Sequence, residues 1–159
     1  MATLPQLIEE DVERLGAELR ELLEKSDATT ALIIDKGGFL ITSEGDGRQF
    51  DLTTIAALAS GAYLANQTIA NLVHETDFNS IYQQGEKFSM FAMCVDENCL
   101  LVVIFKAQVS VGAVKYFAVP AVKRIAVQLQ IAQEREPGGG FDLSVMNLAD
   151  PSDLFKKKT

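Results

Sequence analysis

Hydrophobic residues recur every three or four positions between residues 51 and 74, and this spacing predicts a long central helix. One stripe of the helix consists mostly of large apolar side chains. Its members are Ile55, Leu58, Ala62, Ala65, Ile69 and Leu72. We expect this stripe to pack on the sheet of its own chain, because such a period is typical of a helix face buried on a core.

A second stripe of the same helix lies about a third of a turn away and consists mostly of small, uncharged residues. Its members are Ala57, Gly61, Leu64 and Thr68. Between Leu52 and Leu72 there is no Asp, Glu, Lys or Arg, whereas a helix with one solvated face normally carries several. We therefore expect both faces to be covered, the second by another copy of the chain and by a further protein.

The rest of the pattern predicts a helix before two strands, then three strands and a long helix after the central one. The first helix is expected from about Leu4, with Thr3 as its cap, to Lys25. Strands are expected at residues 31–35, 39–43, 80–84, 88–95 and 99–105.

Local composition predicts where several strands lie in the sheet. The Gly37-Gly38 pair between the first two strands indicates a tight hairpin turn. The continuously apolar run 100–105 predicts the central strand, buried on both faces. The weak, polar run 80–84 is typical of an edge strand, which can pair with another chain.

The stretch from Ser110 to Arg135 fits a helix, although the alternation that begins near Val109 would also suit a strand. Pro120 has no N–H to donate and clashes with the preceding turn, so a helix must kink or begin there. We predict one long helix with a kink near Pro120.

The end of the chain differs in composition from the rest. Residues 137–140 predict a Pro/Gly hinge, and residues 141–159 mix apolar with acidic positions. The apolar candidates for partner contact are Phe141, Leu143, Met146, Leu154 and Phe155. Such a tail either orders on a partner or folds back on its own domain. We divide the chain into a domain at 1–136, the hinge at 137–140 and a docking tail at 141–159.

Composition narrows the classes of partner. With 159 residues and 48% hydrophobic content, the chain can form one domain with an ordinary core. A net charge of −8 argues against nucleic acid or an anionic membrane as the main partner, because both require a basic surface. With no membrane-length apolar run and no cleavable leader, we expect a cytoplasmic protein.

Candidate catalytic groups are few. Cys94 and Cys99 flank a predicted hairpin turn with no base beside them, and we expect free thiols; a cross-hairpin disulfide would suit a secreted protein. The single histidine, His74, is expected to end the central helix. The carboxylates lack metal-ligand spacing, and the phosphate-binding GxxxxGK[ST] pattern is absent. We expect neither an enzyme nor a bound cofactor or metal.

Three local sequences in this order of elements carry a family resemblance. They are Ile33-Ile34-Asp35-Lys36 with its Gly37-Gly38 turn, Asp51-Leu52-Thr53-Thr54, and Val102-Val103-Ile104-Phe105 ahead of Ser110-Val111-Gly112. The chain resembles the Roadblock/dynein light-chain superfamily, and within it the bacterial MglB group. The acidic, apolar end Asp153-Leu154-Phe155 is also similar to that group.

The resemblance implies an α/β (α+β) fold with a five-stranded antiparallel sheet. It places the central helix on one face and the N- and C-terminal helices on the other. It also implies a homodimer in which the central helices lie side by side and edge strands pair across the two-fold axis.

The resemblance further implies a function. A Ras-like small GTPase of the MglA type would dock on the paired central helices and on the tail. The dimer would promote GTP hydrolysis, in cell polarity or gliding motility, by arranging the switch residues of the GTPase without an inserted arginine finger. The central helix indeed contains no arginine. The alternative is a Roadblock scaffold that assembles proteins without affecting hydrolysis.

Overall fold

The computed structural model describes residues 4–135. Its elements occur in the predicted order. They are α1 (Glu9–Ser26), β1 (Thr30–Asp35), β2 (Leu40–Gly45), α2 (Leu52–Leu72), β3 (Ser80–Gln83), β4 (Phe88–Cys94), β5 (Cys99–Lys106) and α3 (Val111–Glu134).

The five strands form one antiparallel sheet in the order β2-β1-β5-β4-β3. Strand β5 lies in the middle, and each of its residues from Cys99 to Phe105 is buried. The prediction of a central strand buried on both faces is therefore confirmed. The short strand β3 lies at one edge, as its polar composition predicted.

Both faces of the sheet are covered by helices. Alternate strand residues point to opposite sides, so Ile33 and Val103 pack under α1 and α3, while Leu32 and Val102 pack under α2. The predicted arrangement, with the central helix on one face and the terminal helices on the other, is confirmed.

The predicted starts of α1 and β2 are wrong, and β1 begins one residue earlier than predicted, at Thr30. Helix α1 begins at Glu9 instead of Leu4, because the Asp11 carboxylate accepts the backbone N–H of Ile8 at 2.9 Å and so caps the first turn there. The predicted cap Thr3 lies outside the described residues. Strand β2 begins at Leu40, because the residue before it, Phe39, belongs to the turn.

The ambiguous stretch after β5 is helical. The Oγ of Ser110 accepts the backbone N–H of Ala113 at 3.1 Å and caps α3. The helix then continues through Pro120, which lies on its exposed side. The strand alternative is therefore wrong.

A buried carboxylate joins the start of α1 to the end of α3. Asp11 is fully buried and accepts two hydrogen bonds from Arg135, Nη1 to Oδ2 at 2.8 Å and Nη2 to Oδ1 at 2.9 Å. The Nε2 of Gln128 donates to the same carboxylate at 2.8 Å. The hydrogen bonds from Arg135, opposed by burial, lower the pKa of Asp11 to about 2. This cluster fixes the point where the chain leaves the described domain.

We predict that the Asp11 cluster stabilises the fold above pH 4 and loses its effect as the pH falls towards 2. The pKa is lower in the folded chain than the ordinary value of 3.8, so acid protonates the unfolded state first. The contribution at neutral pH is about 2 kcal/mol. In urea unfolding, Asp11→Asn should be less stable than the wild type at pH 7, by a difference that shrinks near pH 2.

The control is Glu13→Gln, which removes an exposed carboxylate from the same helix. A stability loss in Asp11→Asn that is equally large at pH 7 and pH 2 would show that the ionised carboxylate is not the stabilising group.

Candidate functional site

Helix α2 is rotated relative to the sequence-based expectation. Its buried residues are Ala56, Ala59, Ser60, Tyr63 and Ala70. Within the predicted core stripe, the exposed fractions are 68% for Leu58, 57% for Ile69 and 74% for Leu72. Ala65 is also exposed, and Ile55 and Ala62 are only partly buried. The prediction that this stripe faces the sheet is therefore wrong.

Side-chain size explains the rotation. Ala56 and Ala59 are small enough to bring the helix axis close to the sheet, and Tyr63 is the one large side chain of the helix that is fully buried beside them. The Tyr63 ring packs against Phe78, with centroids 5.0 Å apart. The ammonium group of Lys36 lies 5.8 Å from the same ring centroid. The spacing of apolar residues along the helix does not show which side chains are small enough to lie next to the sheet.

One contact caps the start of α2, and another ties the helix to the turn between β1 and β2. The Asp51 carboxylate caps the helix by accepting the backbone N–H of Thr54 at 3.1 Å, and hydrogen bonds from Thr54 lower the pKa of Asp51. Further along, the Ser60 hydroxyl donates a hydrogen bond to the carbonyl of Lys36 in the turn between β1 and β2.

The stripe of small residues lies on the exposed side of α2. Ala57, Gly61, Leu64 and Thr68 are all exposed. A Cβ atom added at Gly61 would meet nothing within 4 Å. The Thr68 hydroxyl already donates to the Leu64 carbonyl at 3.0 Å, so it offers no free donor. The stripe is therefore accessible to a partner, and its assignment as a partner surface stays a prediction.

The exposed members of the two stripes form one surface, which we call the outer face of α2. It consists of Ala57, Leu58, Gly61, Leu64, Ala65, Thr68, Ile69 and Leu72. The whole helix lacks charged residues. The face therefore has no group for acid-base chemistry, but it can bury apolar surface against another protein. Sequence reasoning missed four of its members because it assigned them to the core: Leu58, Ala65, Ile69 and Leu72.

The predicted contact residues of the tail lie outside the described residues. They are Phe141, Leu143, Met146, Leu154 and Phe155. The division at 136 and 140 therefore stays a prediction.

The other candidate groups show no arrangement for catalysis within the described residues. Both cysteines are free, as predicted. Burial raises the pKa of Cys99 to about 12, so this thiol is protonated and inert at neutral pH. The Cys94 thiol donates to the Asp96 carbonyl at 3.2 Å. His74 follows the end of α2 in the left-handed region, with φ of 63°.

Two further features are absent from the described part of the chain. Within residues 4–135, no three His, Cys, Asp or Glu side chains are grouped so that they could hold a metal ion. None of the helices in that range is both long and apolar enough to span a membrane.

The Roadblock/LC7 domain family matches residues 15–105, more than half of the chain. The chain belongs to the Roadblock/LC7 family. The matched region includes all of α2 and most of the sheet, so the outer face lies within the Roadblock/LC7 domain. Comparison with curated protein sequences gives no match.

Solved structures of MglB proteins are similar to this Roadblock/LC7 chain over most of its length. MglB from Myxococcus xanthus is 27% identical, with a TM-score of 0.75 over 82% of this chain and 98% of the other. The gliding protein MglB from Thermus thermophilus is 28% identical, with a TM-score of 0.75 over 82% and 99%. An MglB with a tetrameric arrangement is 27% identical, with a TM-score of 0.76 over 83% and 99%. These findings confirm the resemblance to the MglB group.

Proposed function

We propose that this chain is a dimeric regulator of a Ras-like small GTPase of the MglA type. The observation that carries the proposal is the exposed, uncharged outer face of α2 in a Roadblock/LC7 chain with MglB proteins among its structural neighbours. Burying the apolar surface of such a face against a partner lowers the free energy of the complex. No charged group has to be desolvated when the complex forms.

The homodimer is part of the proposal. Leu58 and Ile69 lie on the flank of α2 that is turned away from the β1–β2 turn, and they supply the large aliphatic surface that a second α2 would cover. The edge strand β3, with Tyr82 44% exposed, can pair with its copy. The small stripe, Ala57 to Thr68, then remains for the GTPase.

The proposed mechanism is that the dimer positions residues of the GTPase and supplies no catalytic group of its own. Helix α2 contains no arginine, lysine or acidic residue, so it supplies no charge to the transferred phosphate. The dimer would instead hold the GTPase's own switch residues in their active arrangement. The tail at 141–159 would contact the GTPase through its apolar residues. We place this activity in the cytoplasm and in cell polarity or gliding motility.

Single-turnover GTP hydrolysis by the MglA-type GTPase tests the proposal. We expect hydrolysis to accelerate by orders of magnitude when the chain is added, because better positioning lowers the barrier. A stable complex on size exclusion with unchanged hydrolysis would identify the alternative, a scaffold, and would contradict activation.

We predict that Gly61→Arg folds normally but fails to bind the GTPase. The backbone site is open, and arginine has a higher helix propensity than glycine, by roughly 0.5–1 kcal/mol. The long cation would, however, have to be desolvated in the complex. Urea unfolding measures the first effect and isothermal titration calorimetry the second.

The matched control for Gly61→Arg is Gly112→Arg. Gly112 is also an exposed helical glycine, but it lies on α3, on the opposite face of the sheet. A folded Gly61→Arg that binds the GTPase as tightly as Gly112→Arg would contradict the assigned surface.

We predict that truncation after Glu136 preserves the homodimer but weakens coupling to the GTPase, since the apolar tail residues are assigned to that partner. Analytical ultracentrifugation and the hydrolysis assay measure the two effects. A truncated chain that no longer folds would instead show that the tail belongs to the domain's own core.

A further inference from the structure

The turn between β1 and β2 presents one aromatic side chain beside the outer face of α2. Phe39 is 73% exposed. The residue before it, Gly38, has a φ of +99°, and a Cβ added there would lie 3.2 Å from the Cα of Ala57. The turn backbone therefore packs directly against α2, next to the stripe of small residues.

Hydrogen bonds fix the backbone of Phe39. Its N–H donates to Oδ1 of Asp35 at 2.9 Å, and its carbonyl accepts the N–H of Asp35 at 2.9 Å. The N–H of Lys36 donates to the carbonyl of Asn98 at 2.7 Å, and the Ser60 hydroxyl donates to the carbonyl of Lys36. The turn is thus held by α2 and by the β4–β5 turn together. The backbone that carries the ring is therefore already fixed, and no loop has to be ordered when a partner covers it.

We propose that Phe39 is an aromatic anchor of the GTPase-binding surface, an inference that rests on the proposed function. The ring extends that surface from the small stripe of α2 onto the β1–β2 turn and inserts into an apolar hollow of the GTPase. Aromatic side chains that fill pockets of a partner are common among the residues that dominate the binding energy of interfaces. The small side chains at Ala57 and Gly61 let the partner approach closely, so that the ring projects into it.

The position of the turn favours the GTPase over a second copy as the occupant. Ala57 and Ser60 contact the turn and define one flank of α2, whereas Leu58 and Ile69 lie on the other flank. Dimerisation through the large aliphatic flank leaves Phe39 and the small stripe uncovered.

The test is the dissociation constant of the full-length chain with the MglA-type GTPase, loaded with a non-hydrolysable GTP analogue, measured by isothermal titration calorimetry. Phe39→Ala should weaken binding by roughly 10- to 30-fold, the loss typical of an interface anchor. Phe39→Leu should lose less, because it keeps apolar bulk. Both variants retain the backbone hydrogen bonds of the turn, and thermal melting checks that they fold.

Tyr116→Ala is the matched control. Tyr116 is also 73% exposed, but it lies on α3, on the opposite face of the sheet. We expect its removal to leave the dissociation constant unchanged.

The outcomes separate this inference from the function on which it rests. If the wild-type chain binds and Phe39→Ala binds equally well, the inference is wrong and the proposed function stands. If the wild-type chain does not bind, the proposed function fails and the inference fails with it. If Phe39→Ala dissociates the homodimer in ultracentrifugation, the ring belongs to the interface between copies and the inference is wrong.

Discussion

The close packing of α2 on the sheet is the constraint on which the rest of the structure depends. Ala56, Ala59 and Ser60 leave little space between helix and strands, so only Tyr63 among the large side chains of the helix is fully buried. Leu58, Ile69 and Leu72 then point outward. A tight internal interface thus creates an apolar external one, and covering that surface becomes the task of a partner.

The other face of the sheet meets solvent in a different way. Helices α1 and α3 pack against each other and carry charged residues outward, with ion pairs such as Arg124 to Glu18 at 2.6 Å. Exposed pairs of this kind contribute little stability, whereas the buried Asp11 cluster fixes the ends of both helices. The chain therefore combines a charged, solvated layer with an uncharged helix on the opposite side. Its net charge of −8 is carried entirely by residues outside α2.

The order of elements could be predicted because it depends on local pattern, such as the glycine pair before Phe39 or the apolar run of β5. The rotation of α2 could not. The sequence shows two apolar stripes at helical spacing, but neither is the buried one, because Ala56, Ala59 and Tyr63 pack over the sheet instead. Phe39 was predicted to start a strand because a turn residue beside a strand can continue the strand's alternation, whereas it lies in the turn before β2 and is exposed. The small stripe of α2 could be singled out as a candidate surface because that step depended only on the absence of charge.

The most direct test of the central claim, that the outer face of α2 is covered in the working assembly, is hydroxyl-radical footprinting. The chain would be labelled by itself at low concentration and again in complex with the GTPase. We expect oxidation of Leu58, Leu64 and Leu72 to fall on assembly while that of Tyr116 stays the same. Unchanged oxidation along α2, with protection on α3, would contradict the account.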